Sequence, residues 1–169
     1  MAVAVRSKEP HSMEDSGPFS ERLGGHFNGS WGVDREFLEF ICGPRLGAGM
    51  SREVFRYRID PKYVIKIELE EFTFQNVAEM ETWDNVKFSP LAKWFAPIKA
   101  ISGCGRFMLQ QYAEPLASIA LPAEMPAFFT DFKPGNYGRI GKQVVAVDYG
   151  RNLLSQTGLT KRMRKADWS

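Results

Sequence analysis

The chain has 169 residues, 44% of them hydrophobic and 13% aromatic, with a formal net charge of +2. That length is one domain's worth and is long enough to bury a core, and thirteen phenylalanines argue against a disordered chain. So small a charge gives no ground for a nucleic-acid partner, and no apolar run is long enough to span a bilayer, so no membrane role is expected.

Residues 1–30 are rich in Ser, Gly, Glu and Pro and are expected to form a mobile arm. The apolar part of its first six residues is too short for a secretory signal. His11 and His26 have no cluster around them that suggests a metal, and the Asn28-Gly-Ser30 sequon carries no weight without a signal. Cys42 and Cys104 lack metal-like spacing, so both are read as reduced thiols of a cytoplasmic protein. Trp31, Phe37, Leu38, Phe40 and Ile41 break the polarity of the arm, and Asp34 is placed to cap a short helix just before Cys42.

Leu46-Gly-Ala-Gly49 follows, with Val54 further on. Gly47 and Gly49 would let a strand–turn–strand backbone approach phosphates closely, and a plain hairpin turn is the alternative. Arg52 stands where a third glycine would complete the loop. In the run Tyr63–Leu69, a period of two puts Val64 and Lys66 on one face and Tyr63, Ile65 and Ile67 on the other. A lysine inside an apolar strand needs an anionic partner, unless the strand is an edge that the charge protects from aggregation. Residues Phe72 to Val86 suggest a helix, with Phe74, Val77, Trp83 and Val86 as apolar positions. Asn76, Glu79 and Trp83 share one face of it, which makes Glu79 the first choice for the partner of Lys66 and Glu81 the second. The plain alternative is that these acids solvate an exposed face.

Ala96–Ile101 and Arg106–Tyr112 read as two strands joined by a turn at Gly103 and Gly105. The next interval holds Pro115, Pro122 and Pro126, and leaves room for at most one short helix, Leu116 to Ala120. Asp131-Phe-Lys-Pro-Gly-Asn136 then places an acid, a lysine and an amide on one loop. Gln143–Val147 is an apolar strand, so Asp148 falls at a strand end. Two carboxylates and an amide oxygen around a gap form a hard-oxygen site suited to Mg²⁺ and its attached phosphates.

The pattern D-x-K-x-x-N followed by D-x-G resembles the catalytic loop and the Asp-Phe-Gly element of protein kinases. Residues 47–54 resemble the kinase Gly-rich loop, and residues 63–69 resemble the strand that carries the phosphate-binding lysine. These signals stand in kinase order over about residues 40 to 155. The resemblance implies an α+β fold in which residues 31–158 form a minimal protein-kinase-like domain. Its upper lobe would be a five-stranded antiparallel sheet over residues 42–114, with one helix between the third and fourth strands. The lower lobe would be much reduced, and residues 159–169 would be a solvated basic tail built on Lys161–Lys165.

The resemblance also implies roles. Asp131 would act on the acceptor hydroxyl and Lys133 would neutralise the transferring phosphoryl group. Asn136 and Asp148 would hold Mg²⁺. Lys66, fixed by Glu79, would hold the ATP phosphates beneath Gly47 and Gly49, with Val54 and Val64 nearby. Gln110 falls at the gatekeeper position, and Gln111 and Ala113 in the hinge would meet adenine. Lys133 resembles the serine/threonine kinases, which implies a protein substrate. The departures are the missing third glycine, Phe129-Thr130 in place of His-Arg, and only nineteen residues after Gly150. They leave no room for an activation segment or a helical lower lobe, so a protein acceptor would dock through the arm, the tail, or a second copy in a homodimer. The other reading, from a different class, is a weak or inactive scaffold that binds and inhibits a macromolecular partner.

Overall fold

The computed structural model describes residues 35–49, 51–69, 73–116 and 121–168. The first half of the described chain runs α1 (Arg35–Ile41), β1 (Cys42–Ala48), β2 (Arg52–Tyr57), β3 (Tyr63–Glu68), α2 (Gln75–Val86), β4 (Ile98–Ile101) and β5 (Phe107–Gln111). Its strands form one antiparallel sheet in the order β1-β2-β3-β5-β4, with α2 between the third and fourth strands in sequence. The mixed α+β class and this sheet are as expected.

The register decides which residues can meet. Gly47, Val54, Lys66 and Met108 are successive cross-strand partners and form one row. Beside that row lie Arg52 opposite Glu68 on one side, and Arg56, Val64 and Gln110 on the other. Directly opposed residues share a face, so these rows make up one side of the sheet. The other side presents Phe55, Ile65 and Ile67, which bury against Leu38 and Ile41 of α1. Beyond them an apolar groove of about 400 Å³ opens between α1 and the sheet, away from Lys66.

Helix α2 is anchored by residues outside it. The Glu68 carboxylate, at the end of β3, accepts the Asn76 N–H at 2.5 Å and the Thr73 hydroxyl. The first of these is a donor that a helix start leaves open. The Asn76 amide donates to the carbonyls of Gly105 at 3.0 Å and Arg106 at 2.9 Å. Gly105 itself has φ +77°, and a Cβ there would come within 2.8 Å of Val77 Cγ2, so only glycine suits this turn. The helix begins at Gln75. Phe74, expected as an apolar position of the helix, precedes it at φ 49° and is exposed. Phe72 lies outside the described residues, as do the arm, Asp34 and residues 117–120 of the expected short helix.

The second half has β6 (Glu114–Pro115), β7 (Glu124–Pro126), β8 (Tyr137–Ile140), β9 (Gln143–Ala146), the single helical turn α3 (Leu154–Thr157) and β10 (Met163–Lys165). Strands β6, β8 and β9 form one small sheet, and β7 pairs with β10. Aromatic rings fill the interior. Phe95 lies 5.6 Å from Phe128 and meets Tyr149 edge-on at 5.0 Å, and Phe128 lies 4.7 Å from Phe129. Such pairs add about 0.5–1.5 kcal/mol each beyond their burial.

The C-terminal stretch corrects the expectation of a solvated tail. Its basic side chains are exposed, but its backbone pairs with β7, and Ala166 is buried. The Trp168 indole donates to the Pro122 carbonyl at 2.8 Å, and its ring lies 5.0 Å from Tyr137. Apolar residues at 166 and 168 outweigh the solvation of the charges before them.

Phe95→Ala should lower unfolding stability by about 3–5 kcal/mol in urea denaturation, because the cavity opens inside the ring cluster. Phe88→Ala, at a side chain 94% exposed, should stay within about 0.5 kcal/mol of wild type. Similar losses at the two positions would show that the ring cluster is not the core of this half.

Candidate functional site

Three of the site residues expected from the sequence, Lys66, Glu79 and Asp148, meet at one end of the sheet. The Lys66 ammonium lies 2.8 Å from Glu79 Oε2, across the gap between β3 and α2. Glu79 is fully buried, whereas Glu81 is exposed, so the first choice of partner is the one realised. Asp148 follows β9 as expected. The carbonyl of Asn136, in a tight turn at Pro134–Asn136, accepts the backbone N–H groups of Val147 at 2.8 Å and Asp148 at 3.3 Å. That strap brings Asn136 and Asp148 together. On the same loop, Lys133 Nζ lies 3.4 Å from Asp131 Oδ2, both side chains facing solvent.

Arg52 joins the pieces, and sequence reasoning did not find it. Its guanidinium lies 2.7 Å from Glu79 Oε1 and 3.0 Å from Asp148 Oδ1, and it donates to Asn76 Oδ1 at 3.3 Å. The arginine read as a missing glycine is the centre of the network. Lys66 also donates to the Val147 carbonyl and is 4% exposed, so its ammonium is committed inside the protein rather than turned toward solvent.

The charges tune one another. Burial pulls the Lys66 ammonium below its ordinary range, opposed by Glu79 and reinforced by Arg52. For Arg52, burial works against the charge, but Glu79 and Asp148 outweigh it. For Asp148, partial burial works to raise the carboxyl, and Arg52 and Lys66 together hold it below the usual carboxylate range. Both cysteines are free; burial pushes the Cys42 thiol up to about 12, which leaves it unreactive at neutral pH.

The glycines of the hairpin are unconstrained by the fold. A Cβ on Gly47 would meet nothing within 4 Å, and one on Gly49 only the Arg52 carbonyl at 3.8 Å. Val54 and Val64 share the face of Lys66. At the far end of that face Gln110 is buried, with its amide 3.4 Å from the Ala96 carbonyl. The backbone N–H of Gln111 bonds to Pro97 O and that of Tyr112 to Lys62 O, each at 2.8 Å. Ala113 packs against Gly138, where a Cβ would come within 2.6 Å of the Ala113 Cβ.

A divalent ion does not fit this arrangement. Among the described residues no group of three or more His, Cys, Asp or Glu side chains is placed to hold one. Asn136 and Asp148 are brought together, but an Asp148 oxygen that the ion would use carries the Arg52 guanidinium.

Compared with known proteins, the chain matches no family model, no curated protein and no solved structure. Among the described residues no helix is long and apolar enough to cross a membrane.

The Arg52–Asp148 contact has a pH signature. A carboxyl whose folded pKa lies below its unfolded value adds stability above the unfolded value, about 3.9, and loses it as pH falls through the folded one. The Asp148 side chain is 48% exposed, so solvent screens the effect and keeps it small. Asp148→Asn should therefore melt below wild type at pH 7, and the gap should close as pH falls below about 4. Thermal melts followed by circular dichroism check this; a gap that does not change with pH would mean that the carboxylate charge contributes nothing.

Proposed function

We propose that the chain is a minimal protein-kinase-like domain that transfers the γ-phosphoryl group of ATP to a serine or threonine hydroxyl of a protein. The observation that carries this reading is the buried pair of Lys66 and Glu79, linked through Arg52 to Asp148. Four separate parts of the chain supply these groups, and a plain β-sheet domain has no packing need to bury them. Gly47 and Gly49 would cover the phosphates. The fold itself asks for no glycine at position 47, so a demand for glycine there would come from a ligand.

In this reading Asp131 orients the acceptor hydroxyl and takes its proton, and Lys133 beside it offsets charge on the transferring group. Lys66, held by Glu79, sets the α- and β-phosphates. Val54 and Val64 line the base from the sheet face, with Ala113 and the Gln111 carbonyl offering backbone groups to adenine. Phosphoryl transfer is mostly positioning and charge stabilisation, which such a set supplies in kind. The acceptor is a protein, or a second copy of this chain.

The inhibitory scaffold is a second reading with its own observation. The Lys66 ammonium is committed to Glu79 and Val147, and Asp148 to Arg52, so both charges are satisfied without a nucleotide. In that reading the domain docks on another macromolecule and blocks it.

Transfer of γ-phosphate to protein by the purified chain tests the enzyme. Asp131→Asn should lower turnover by about a hundredfold or more and leave ATP affinity nearly unchanged, since the residue faces the acceptor. Gly47→Ala should weaken ATP binding in calorimetry without moving the melting temperature. A wild-type chain that binds no ATP would remove the phosphotransfer reading and leave the scaffold.

A further inference from the structure

Arg52 opens β2 at the close of the glycine hairpin, where its own carbonyl accepts the Gly49 N–H at 2.8 Å. Its guanidinium is surrounded by oxygens from two other elements: Glu79 Oε1 at 2.7 Å, Asp148 Oδ1 at 3.0 Å and Asn76 Oδ1 at 3.3 Å. Two carboxylates and an amide carbonyl are a hard-oxygen set of the kind that binds divalent cations. Here that set encloses a cation supplied by the chain. The other oxygen of Glu79 is taken by Lys66, so loss of Arg52 would release Asp148 and Asn76 while Glu79 kept one partner.

We propose that Arg52 is the resident cation of this site, and that Asp148 accepts a divalent ion only when the guanidinium is gone. The inference rests on the reading of Asp148 as the site's cation-facing carboxylate. Its consequence for the wild type is a site whose charge is balanced without metal. An arginine at this position acts as a contact that holds the metal side closed.

The test uses Mn²⁺ alone, with no nucleotide, titrated into the full chain and followed by electron paramagnetic resonance. Wild type and Asp148→Asn should show the same weak binding. Arg52→Gly should bind Mn²⁺ about tenfold or more tightly, since a unit charge repelling a double charge at about 4 Å in water is removed. The gain should vanish in Arg52→Gly combined with Asp148→Asn. Arg52→Met, which keeps a buried aliphatic stem, gives the same readout if the glycine variant does not fold. The wild-type arm needs no substitution at position 52: a Mn²⁺ site there that Asp148→Asn abolishes would overturn the proposal. So would a folded Arg52 variant with no gain, or a gain that survives loss of Asp148. Because no nucleotide is present, a chain that shows the Mn²⁺ gain but binds no ATP loses the phosphotransfer reading and keeps this one.

Discussion

Glu79 is a fully buried carboxylate that meets two cations from neighbouring strands, and the docking of the helix on the sheet depends on it. Taking a carboxylate out of water costs several kcal/mol unless both oxygens find charged partners. Lys66 of β3 takes one oxygen and Arg52 of β2 takes the other. Removing one partner from such a cluster strands a charge and typically costs about 3–5 kcal/mol. The register allows the arrangement because residues 52 and 66 lie on the same face, in adjacent rows. Glu68 and Asn76 then hold the start of the helix over that face, so Glu79 arrives in place by a second set of bonds.

Asp148 owes its position to packing in the other half. Tyr149, next in sequence, is fully buried, stacks edge-on against Phe95 and donates its hydroxyl to the Ala96 carbonyl at 2.9 Å. Burial pushes that phenol well above its ordinary range, so it remains a donor. Asn152 closes the turn by donating to the Tyr149 carbonyl and to Thr82 of α2. The backbone N–H of Ala96 meets the Ala146 carbonyl at 2.9 Å, which ties the segment ahead of β4 to β9. An aromatic core thus fixes the carboxylate between helix and strand end, and a cavity in that core would reach the site through Tyr149.

Much of the first half is legible in local pattern. The alternation of residues 63–68 places Lys66 opposite the apolar set, and the spacing of Asn76 and Glu79 predicts one helix face. Arg52 was legible too, by the same period: it lies two residues before Val54 and so shares the face of Lys66. Reading it only as an absent glycine hid the fact that a charge on a buried face must have a partner. Phe74 could not be placed locally, because the carboxylate that satisfies the helix start comes from the preceding strand. The C-terminal strand was hidden for a similar reason. Its sequence is basic, and its partner at residues 124–126 is distant along the chain.

The identity of residue 52 sets how the site is held together. With glycine there, Glu79 and Asp148 would face the same space with only Lys66 between them. Two carboxylates that share a site cannot both ionise cheaply, and one would take up a proton or recruit a cation from solution. With arginine there, four charges balance as two and two, and the hairpin, helix and strand end cohere without any ligand. The oxygens that give this cohesion are also the ones a divalent ion would use. Stability of the free protein and any affinity for metal would therefore draw on the same groups, and a gain in one would be a loss in the other.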